Sequence, residues 1–377
     1  MQEHKKYNMN SSLQIGKIMG IPIRIHWTLI VIILYVAWAF ASFSEQVFGK
    51  TYGFGSVDSA MLKWVYSLIF AVLLFVCVAL HELGHSYIAH KNGIVIKSIT
   101  LYFFGGVSAI GEIPRDPRLE LKMAFAGPAI SGVVGIVCVL LSQSASILSG
   151  GSPLVIFLWT LGVVNIILMV FNLLPAFPMD GGRLLRAWFA MRMPYVAATR
   201  SAASVGKAFA ILMFVLGLFS FNFLLLFVAF FVYVGASEEE KATEINISLE
   251  GIKVRNIMSS KVRTIPPSTT LRGLMELMFQ EKHRGYPVTE GETLQGIVTL
   301  TDLQKVPDAE RDTTNVGQVM ARKLYVIAPE EEASTAMKMM NERGIRRLPV
   351  MDNGRLVGIV SREDLVRAIE LCSGRGF

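Results

Sequence analysis

The stretch VYSLIFAVLLFVCVALHELGH, Val65–His85, is an apolar run that ends in His81-Glu82-Leu83-Gly84-His85. On a helix, His-Glu-x-x-His places two imidazoles one turn apart on one face, where both can hold a zinc ion with the intervening glutamate as general base. Because the motif closes a run long enough to cross a bilayer, the metal would sit inside a membrane.

The rest of the chain agrees with a membrane part followed by a water-facing part. Of 377 residues 53% are hydrophobic and only 17% charged, yet the long apolar stretches stop near Gly235. Residues 251–377 hold 19 Lys/Arg and 16 Asp/Glu, so +3 of the net +7 lies there and +4 in the membrane part. So dilute a basic excess points to no nucleic-acid partner. Cys77, Cys138 and Cys372 form no C-x-x-C spacing or disulfide framework. Lys5, Lys6 and Lys17 near the start are not followed by a short apolar core with a small-residue cleavage site, so no removed signal peptide is expected.

Candidate spans run Ile25–Phe43, Trp64–Ala89, Met123–Leu148, Pro153–Leu174, Ala208–Phe219 and Phe221–Gly235, the last two short enough to form one bent hairpin. Residues 1–24, 91–122 and 180–207 carry fourteen Lys/Arg against two, Lys50 and Lys63, in the opposite loops. That asymmetry predicts six spans with both termini cytoplasmic. At the helical rise, His81 lies roughly 27 Å from Lys63 and about 15 Å from Lys91, inside the membrane but nearer the cytoplasm. Ionisable residues at that depth are expensive unless they face a protein interior or a wet cavity.

Between the second and third spans, Ile94–Ile113 reads IVIKSITLYFFGGVSAIGEI, β-branched and aromatic with a Gly105-Gly106 interruption. Short strands are expected, buried against helices, at the interface or lining a cavity. Their edge could take up an extended peptide by strand addition, or the segment could be a structured interfacial loop. In the third span Gly127, Ser131 and Gly135 at four-residue spacing make a face for close packing on the metal helix, and Pro128 would kink or loosen it.

Two histidines do not complete a catalytic zinc site, which usually takes three protein ligands and keeps one position open. His26 beside Trp27 reads as an interfacial residue, and His90 as a helix-end residue pointing away from the pair. Asp180 follows the fourth span in NLLPAFPMDGGR, Asn172–Arg183, where two prolines and two glycines unwind the chain at membrane depth. Such a backbone is tolerated only where protein or water covers it. An Asp-Gly pair is equally a turn or helix N-cap, and the segment alone does not decide.

HELGH followed by NLLPAFPMDGGR resembles the site-2 protease family of intramembrane zinc metalloproteases, and GIPIRIHW, Gly20–Trp27, is similar to the start of its branch bearing CBS domains. The resemblance covers the whole chain in order. It implies that Asp180 is the third ligand of one catalytic zinc with His81 and His85, that Glu82 is the base, and that Asn172 contacts substrate or the transition state. It further implies cleavage of single-span membrane proteins, type II proteins such as membrane-tethered regulators, in regulated intramembrane proteolysis within the lipid bilayer of the cell membrane.

Beyond the spans the chain repeats itself at a constant offset of 62: Met258 matches Met320, Pro267 Pro329, Arg284 Arg346, Pro287-Val288 Pro349-Val350, and GIVTLTDL from Gly296 matches GIVSREDL from Gly358. The duplicated unit resembles a tandem CBS pair, a module that commonly binds adenine nucleotides and pairs face to face. By that resemblance Thr299 with Asp302, and Ser361 with Asp364, would contact ATP, ADP or AMP, although acidic residues at such turns also cap helices. A homodimer through these domains is expected, with nucleotide altering access to the zinc.

The expected fold class is therefore a multi-pass α-helical membrane protein, six spans with a short membrane-associated β segment, plus a cytosolic α/β tandem CBS module. The boundaries are 1–236 for the metalloprotease domain, 237–250 for a solvated linker or helix extension, and 251–377 for the CBS pair (251–310 and 313–373). A CBS-regulated cation transporter or channel is the alternative, against which stand the absence of a repeat among the spans and a base that transport does not need.

Overall fold

The computed structural model describes residues 12–103, 105–111, 114–149 and 152–373, so Lys5 and Lys6 of the basic N-terminal count, and Phe104, Glu112 and Ile113 of the strand segment, lie outside it. The chain divides into two compact units, Met1–Lys241 and Ala242–Phe377.

The first unit opens with strands β1 (Ser12–Ile18) and β2 (Ile21–His26), followed by helix α1 (Thr28–Ser42) and the hairpin β3 (Glu45–Val47) and β4 (Lys50–Tyr52). Helix α2 (Ala60–Lys91) leads to β5 (Ile96–Tyr102) and β6 (Gly105–Ile110), then to helices α3 (Pro117–Ser149), α4 (Pro153–Asn172), α5 (Asp180–Ala190), α6 (Tyr195–Phe219) and α7 (Phe223–Ser248). Helices α2, α3, α4 and α6 are long and apolar enough to cross a membrane.

The expected first span is cut back at its start. Ile21, Ile23 and Ile25 alternate with Pro22, Arg24 and His26, a period of two that makes β2 rather than helix. The 15 helical residues that remain in α1 reach only about 22 Å. Conversely, α6 begins at Tyr195, well before the expected Ala208, because the alanine-rich YVAATRSAASVGKA is strongly helical although Arg200 and Lys207 interrupt its hydropathy. The segment 237–250 is mostly helical too, forming the last turns of α7. Pro128 lies inside α3, whose helix runs through it.

The strand segment joins a four-stranded sheet in the order β1-β2-β5-β6. Strand β2 pairs parallel with β5 through Ile23 and Ile99, and β6 pairs antiparallel with β5, leaving β6 as the terminal strand. Small residues set the helix crossings. A Cβ on Gly84 would come 2.9 Å from the Ala126 carbonyl oxygen, and one on Gly135 3.0 Å from that of Gly162, so α2, α3 and α4 meet backbone to backbone.

The second unit contains α8 (Leu271–Glu281), β7 (Gly285–Glu290), β8 (Thr293–Thr299), α9 (Leu300–Gln304) and α10 (Val316–Val319), then α11 (Ala333–Arg343), β9 (Arg347–Asp352), β10 (Arg355–Ser361) and α12 (Arg362–Ser373). The duplication becomes a pseudo-two-fold exchange. Ser259 bridges Ile359 while Ala321 bridges Ile297, and Lys253 bridges Glu332 while Asn315 bridges Thr270. Val254 accordingly packs in the core with Leu348 and Val360, and Val316 in the core with Tyr286 and Val298.

Candidate metal centre

Helix α2 carries the His-Glu-x-x-His turn unbroken, and His81 and His85 both point into the protein, buried. The third residue arrives from the far end of α4. After Asn172 the chain leaves the helix and re-enters one at Asp180, the first residue of α5. A Cβ on Gly181 would lie 2.1 Å from the Leu174 carbonyl oxygen, and one on Gly182 2.6 Å from the Phe177 nitrogen. The two glycines therefore let the loop fold back on the start of α5, which aims the Asp180 carboxylate inward.

His81 Nε2 and His85 Nε2 each lie 3.2 Å from Asp180 Oδ2, and the two Nε2 atoms lie 3.1 Å apart. Ligands at about 2.0–2.1 Å from a tetrahedral zinc ion stand about 3.3 Å from one another, so the spacing fits that ion. The outward nitrogens support the same conclusion. His81 Nδ1 meets the Ser131 hydroxyl at 2.9 Å, and His85 Nδ1 meets the Met123 carbonyl oxygen at 2.7 Å. With Nδ1–H donated to the Met123 carbonyl, the Nε2 lone pair of His85 is left facing Asp180, the arrangement of a metal-ligating histidine. Among the described residues these three are the one His/Cys/Asp/Glu group close enough to hold a metal, with ligand atoms within 4.8 Å of one another.

Glu82 is held from the sheet. Ser108 of β6 donates its hydroxyl to Glu82 Oε2 at 2.7 Å, and a Cβ on Gly106 would come within 2.4 Å of Glu82 Cγ. Strand β6 thus lies directly on the Glu82 side chain. Gly127 of α3 closes the opposite side, where an added Cβ would stand 2.3 Å from His85 Nε2 and 2.6 Å from His81 Nε2. The four-residue spacing marks Gly127 and Ser131 for packing, but motif reading did not assign them to the wall of the site. Ser108 and Met123 carry no sequence signal at all.

Asn172 stands apart from the His81, His85 and Asp180 group; its amide donates to the Leu168 carbonyl oxygen one turn back at 2.9 Å. His26 Nδ1 pairs with the Thr28 hydroxyl at 2.8 Å, and His90 is exposed at the end of α2. In the second unit Asp302 Oδ2 accepts from the Thr299 hydroxyl at 2.6 Å, and Asp364 Oδ2 accepts from the Ser361 hydroxyl at 2.5 Å, the capping arrangement at two helix starts. Burial acts to raise the Asp302 carboxyl, but the bonds from Thr299 and Lys305 outweigh it and leave it below the usual carboxylate range. Burial pulls the Arg347 guanidinium down, and Arg284 and Arg346 add to that against the opposing Glu363. Three arginines thus share one neighbourhood, which the repeat alignment marked only at Arg284 and Arg346.

The model of peptidase family M50 matches residues 69–150 and 147–216, and the CBS domain model matches 254–308 and 316–371. A zinc metalloprotease of Methanocaldococcus jannaschii is 34% identical over 96% of this chain and 97% of its own. Rip3 of Mycobacterium tuberculosis, also named for zinc metalloprotease activity, is 30% identical over 96% of this chain and 94% of its own. Among solved structures, the site-2 protease of M. jannaschii is 40% identical, covers 61% of this chain and 95% of its own, and superposes with a TM-score of 0.42. With two zinc metalloproteases similar over nearly their full length, and with family models matching both parts of the chain, it belongs to peptidase family M50, the site-2 proteases, as a membrane zinc metalloprotease that carries a tandem CBS pair.

Proposed function

We propose that the chain is an intramembrane endopeptidase that hydrolyses a peptide bond of a single-span membrane protein at the His81–His85–Asp180 centre. The observation that carries this reading is the convergence of two imidazole nitrogens and one carboxylate oxygen, at zinc-ligand spacing, beside Glu82 on the same helix. A bound zinc ion supplies Lewis acidity, lowering the pKa of water to about 7 and polarising the scissile carbonyl. His81, His85 and Asp180 would hold it, and the Ser131 and Met123 contacts keep the imidazoles from turning. Glu82 takes the proton of the attacking water and returns it to the leaving amine. Asn172, at the end of α4, is a further donor for the developing oxyanion once its amide leaves Leu168.

A scissile bond within a helix is already hydrogen-bonded and shielded, so the substrate must open locally before attack. Strand β6 supports a place for the opened form. It ends the sheet, and it lies on Glu82 through Gly106 and Ser108. An extended substrate segment adding to that edge would run past the base with its backbone paired. The excess of Lys/Arg in one set of loops supports a cytoplasmic location for both termini and the CBS module.

The Arg284, Arg346 and Arg347 neighbourhood supports adenine-nucleotide binding to the CBS pair, with Thr299, Asp302, Ser361 and Asp364 at the turns beside it. The pair also provides the surface for a homodimer, and nucleotide occupancy modulates proteolysis. If AMP or ATP binds the full protein and leaves cleavage unchanged, that regulation is wrong while the protease reading stands.

The deciding experiment compares cleavage of a single-span substrate in detergent by the wild type and by Glu82→Gln at matched zinc content. Cutting by the wild type alone supports the reading. Equal cutting by both, or none by either with zinc bound and several substrates tried, overturns it.

A further inference from the structure

Away from the metal ligands, a cluster of buried charges lies next to the centre. Arg186 of α5 is buried, its side chain 7% exposed, and is paired on one side with Glu120 of α3 and on the other with Glu239 of α7. Its Nε donates to Glu120 Oε1 at 2.8 Å and its Nη1 to Glu239 Oε1 at 2.6 Å. The guanidinium carbon also stands 5.1 Å from the ring centres of both Phe177 and Tyr195. The hydrolytic steps use none of these groups.

Two of these partners, Phe177 and Glu120, lead back to the His81, His85 and Asp180 group. Phe177 lies three residues before Asp180 in the loop that aims it, and Arg186 shares α5 with Asp180. Glu120 lies three residues before Met123, whose carbonyl oxygen holds His85 Nδ1. A cavity of about 160 Å³ joins them, with His85, Glu120, Met123, Arg183, Arg186 and Glu239 on its wall. The Glu239 side chain is 35% exposed, against 9% for Glu120, so it is the accessible arm of the cluster.

We propose that Arg186 is a positioning residue of the metal centre: held between Glu120 and Glu239, it fixes the Phe177–Asp180 loop against α3, and release of Glu239 loosens Asp180 on the zinc. Arginine suits the task because its planar fork serves two carboxylates at once while its faces lie against aromatic rings. Lysine keeps the charge and loses that geometry. Because Glu239 sits in the C-terminal half of α7, the arm is also where a change in that helix would be felt at Asp180. The inference rests on Asp180 being a zinc ligand.

The test uses the full-length protein as wild type, Glu239→Gln, Arg186→Lys, Arg186→Met and Asp180→Asn, with two readouts: the rate of zinc release to a chelator and the visible spectrum after cobalt substitution. Glu239→Gln and Arg186→Lys are expected to release zinc on the order of 10-fold faster and to shift the cobalt bands, by loosening the loop that carries Asp180. Turnover should fall in kcat more than in KM. Wild-type release and spectra in both of these variants overturn the proposal, and Glu239→Gln decides if Arg186→Met does not fold. If Asp180→Asn keeps zinc as the wild type does, the ligand reading fails and this inference with it; if only Asp180→Asn loses zinc, the inference alone fails.

Discussion

The Ser108 hydroxyl donates a 2.7 Å hydrogen bond to Glu82 Oε2, tying the terminal strand of the sheet to the glutamate of the His-Glu-x-x-His turn, the proposed general base. A hydrogen bond to a charged group contributes about 1.5–3 kcal/mol. Ser108→Ala is therefore expected to lower kcat by roughly 10-fold or more, through a less well-directed Glu82, with zinc content unchanged because no ligand is touched. Ser108→Thr, which keeps the hydroxyl, should recover most of the loss. Equal kcat in wild type and Ser108→Ala would show that the bond does not direct the base.

Gly127 and Gly132 are both on α3, and both face a close neighbour. A Cβ on Gly127 meets His85 and His81 at 2.3 and 2.6 Å, whereas one on Gly132 meets only the Met169 thioether, at 2.5 Å for the nearest atom. The imidazoles are fixed by Ser131 and Met123, but a methionine end can swing away. Gly127→Ala should therefore purify with much less zinc than the wild type, while Gly132→Ala keeps its metal. Metal analysis of the two purified variants checks this, and a fully loaded Gly127→Ala would rule out so tight a wall.

Strand addition at β6 predicts a different pattern. Val107→Pro places a residue without an N–H in the terminal strand next to Gly106 and Ser108. Cleavage of a membrane substrate should fall while zinc content remains at the wild-type level, because the ligands lie on α2 and α5. Unchanged turnover by this variant would remove β6 as the substrate platform.

What the sequence reveals here follows the range over which its signals act. His81 and His85 are readable because one helical turn relates them, whereas the need for Gly181 and Gly182 comes from the loop backbone that closes on the start of α5. The CBS pair is readable because the duplication keeps its offset of 62, and the same offset reappears in the exchanged bridges, Ser259 with Ile359 and Ala321 with Ile297. Contacts that leave no local pattern stay hidden. Ser108 reaches Glu82 across 26 residues and Arg186 reaches Glu120 across 66, and neither residue type is unusual where it stands. The first helix starts three residues after the apolar run opens at Ile25, because Ile25 and His26 still follow the period of two that makes β2. Asn172 marks the family pattern, yet its amide is bonded within its own helix, so its placement depends on a substrate that the fold alone does not supply.

Tyr286 gives the CBS pair a dependence on alkaline pH. It is fully buried, and its hydroxyl donates to Glu281 Oε2 at 3.0 Å. Burial, with the Glu281 carboxylate adding to it, pushes the phenol up to about 12. In the unfolded chain a tyrosine ionises near pH 10. Between these two values the unfolded state binds fewer protons than the folded one, so stability falls as pH rises through that window and is fully kept below it. Tyr286→Phe loses the hydrogen bond, worth about 1 kcal/mol near neutral pH, but has no phenol to ionise. The denaturation midpoint of the C-terminal unit in the full protein should therefore lie higher for the wild type at neutral pH and converge with that of Tyr286→Phe as pH rises above 10. Parallel curves across that range would mean that Tyr286 keeps an ordinary pKa in the folded protein.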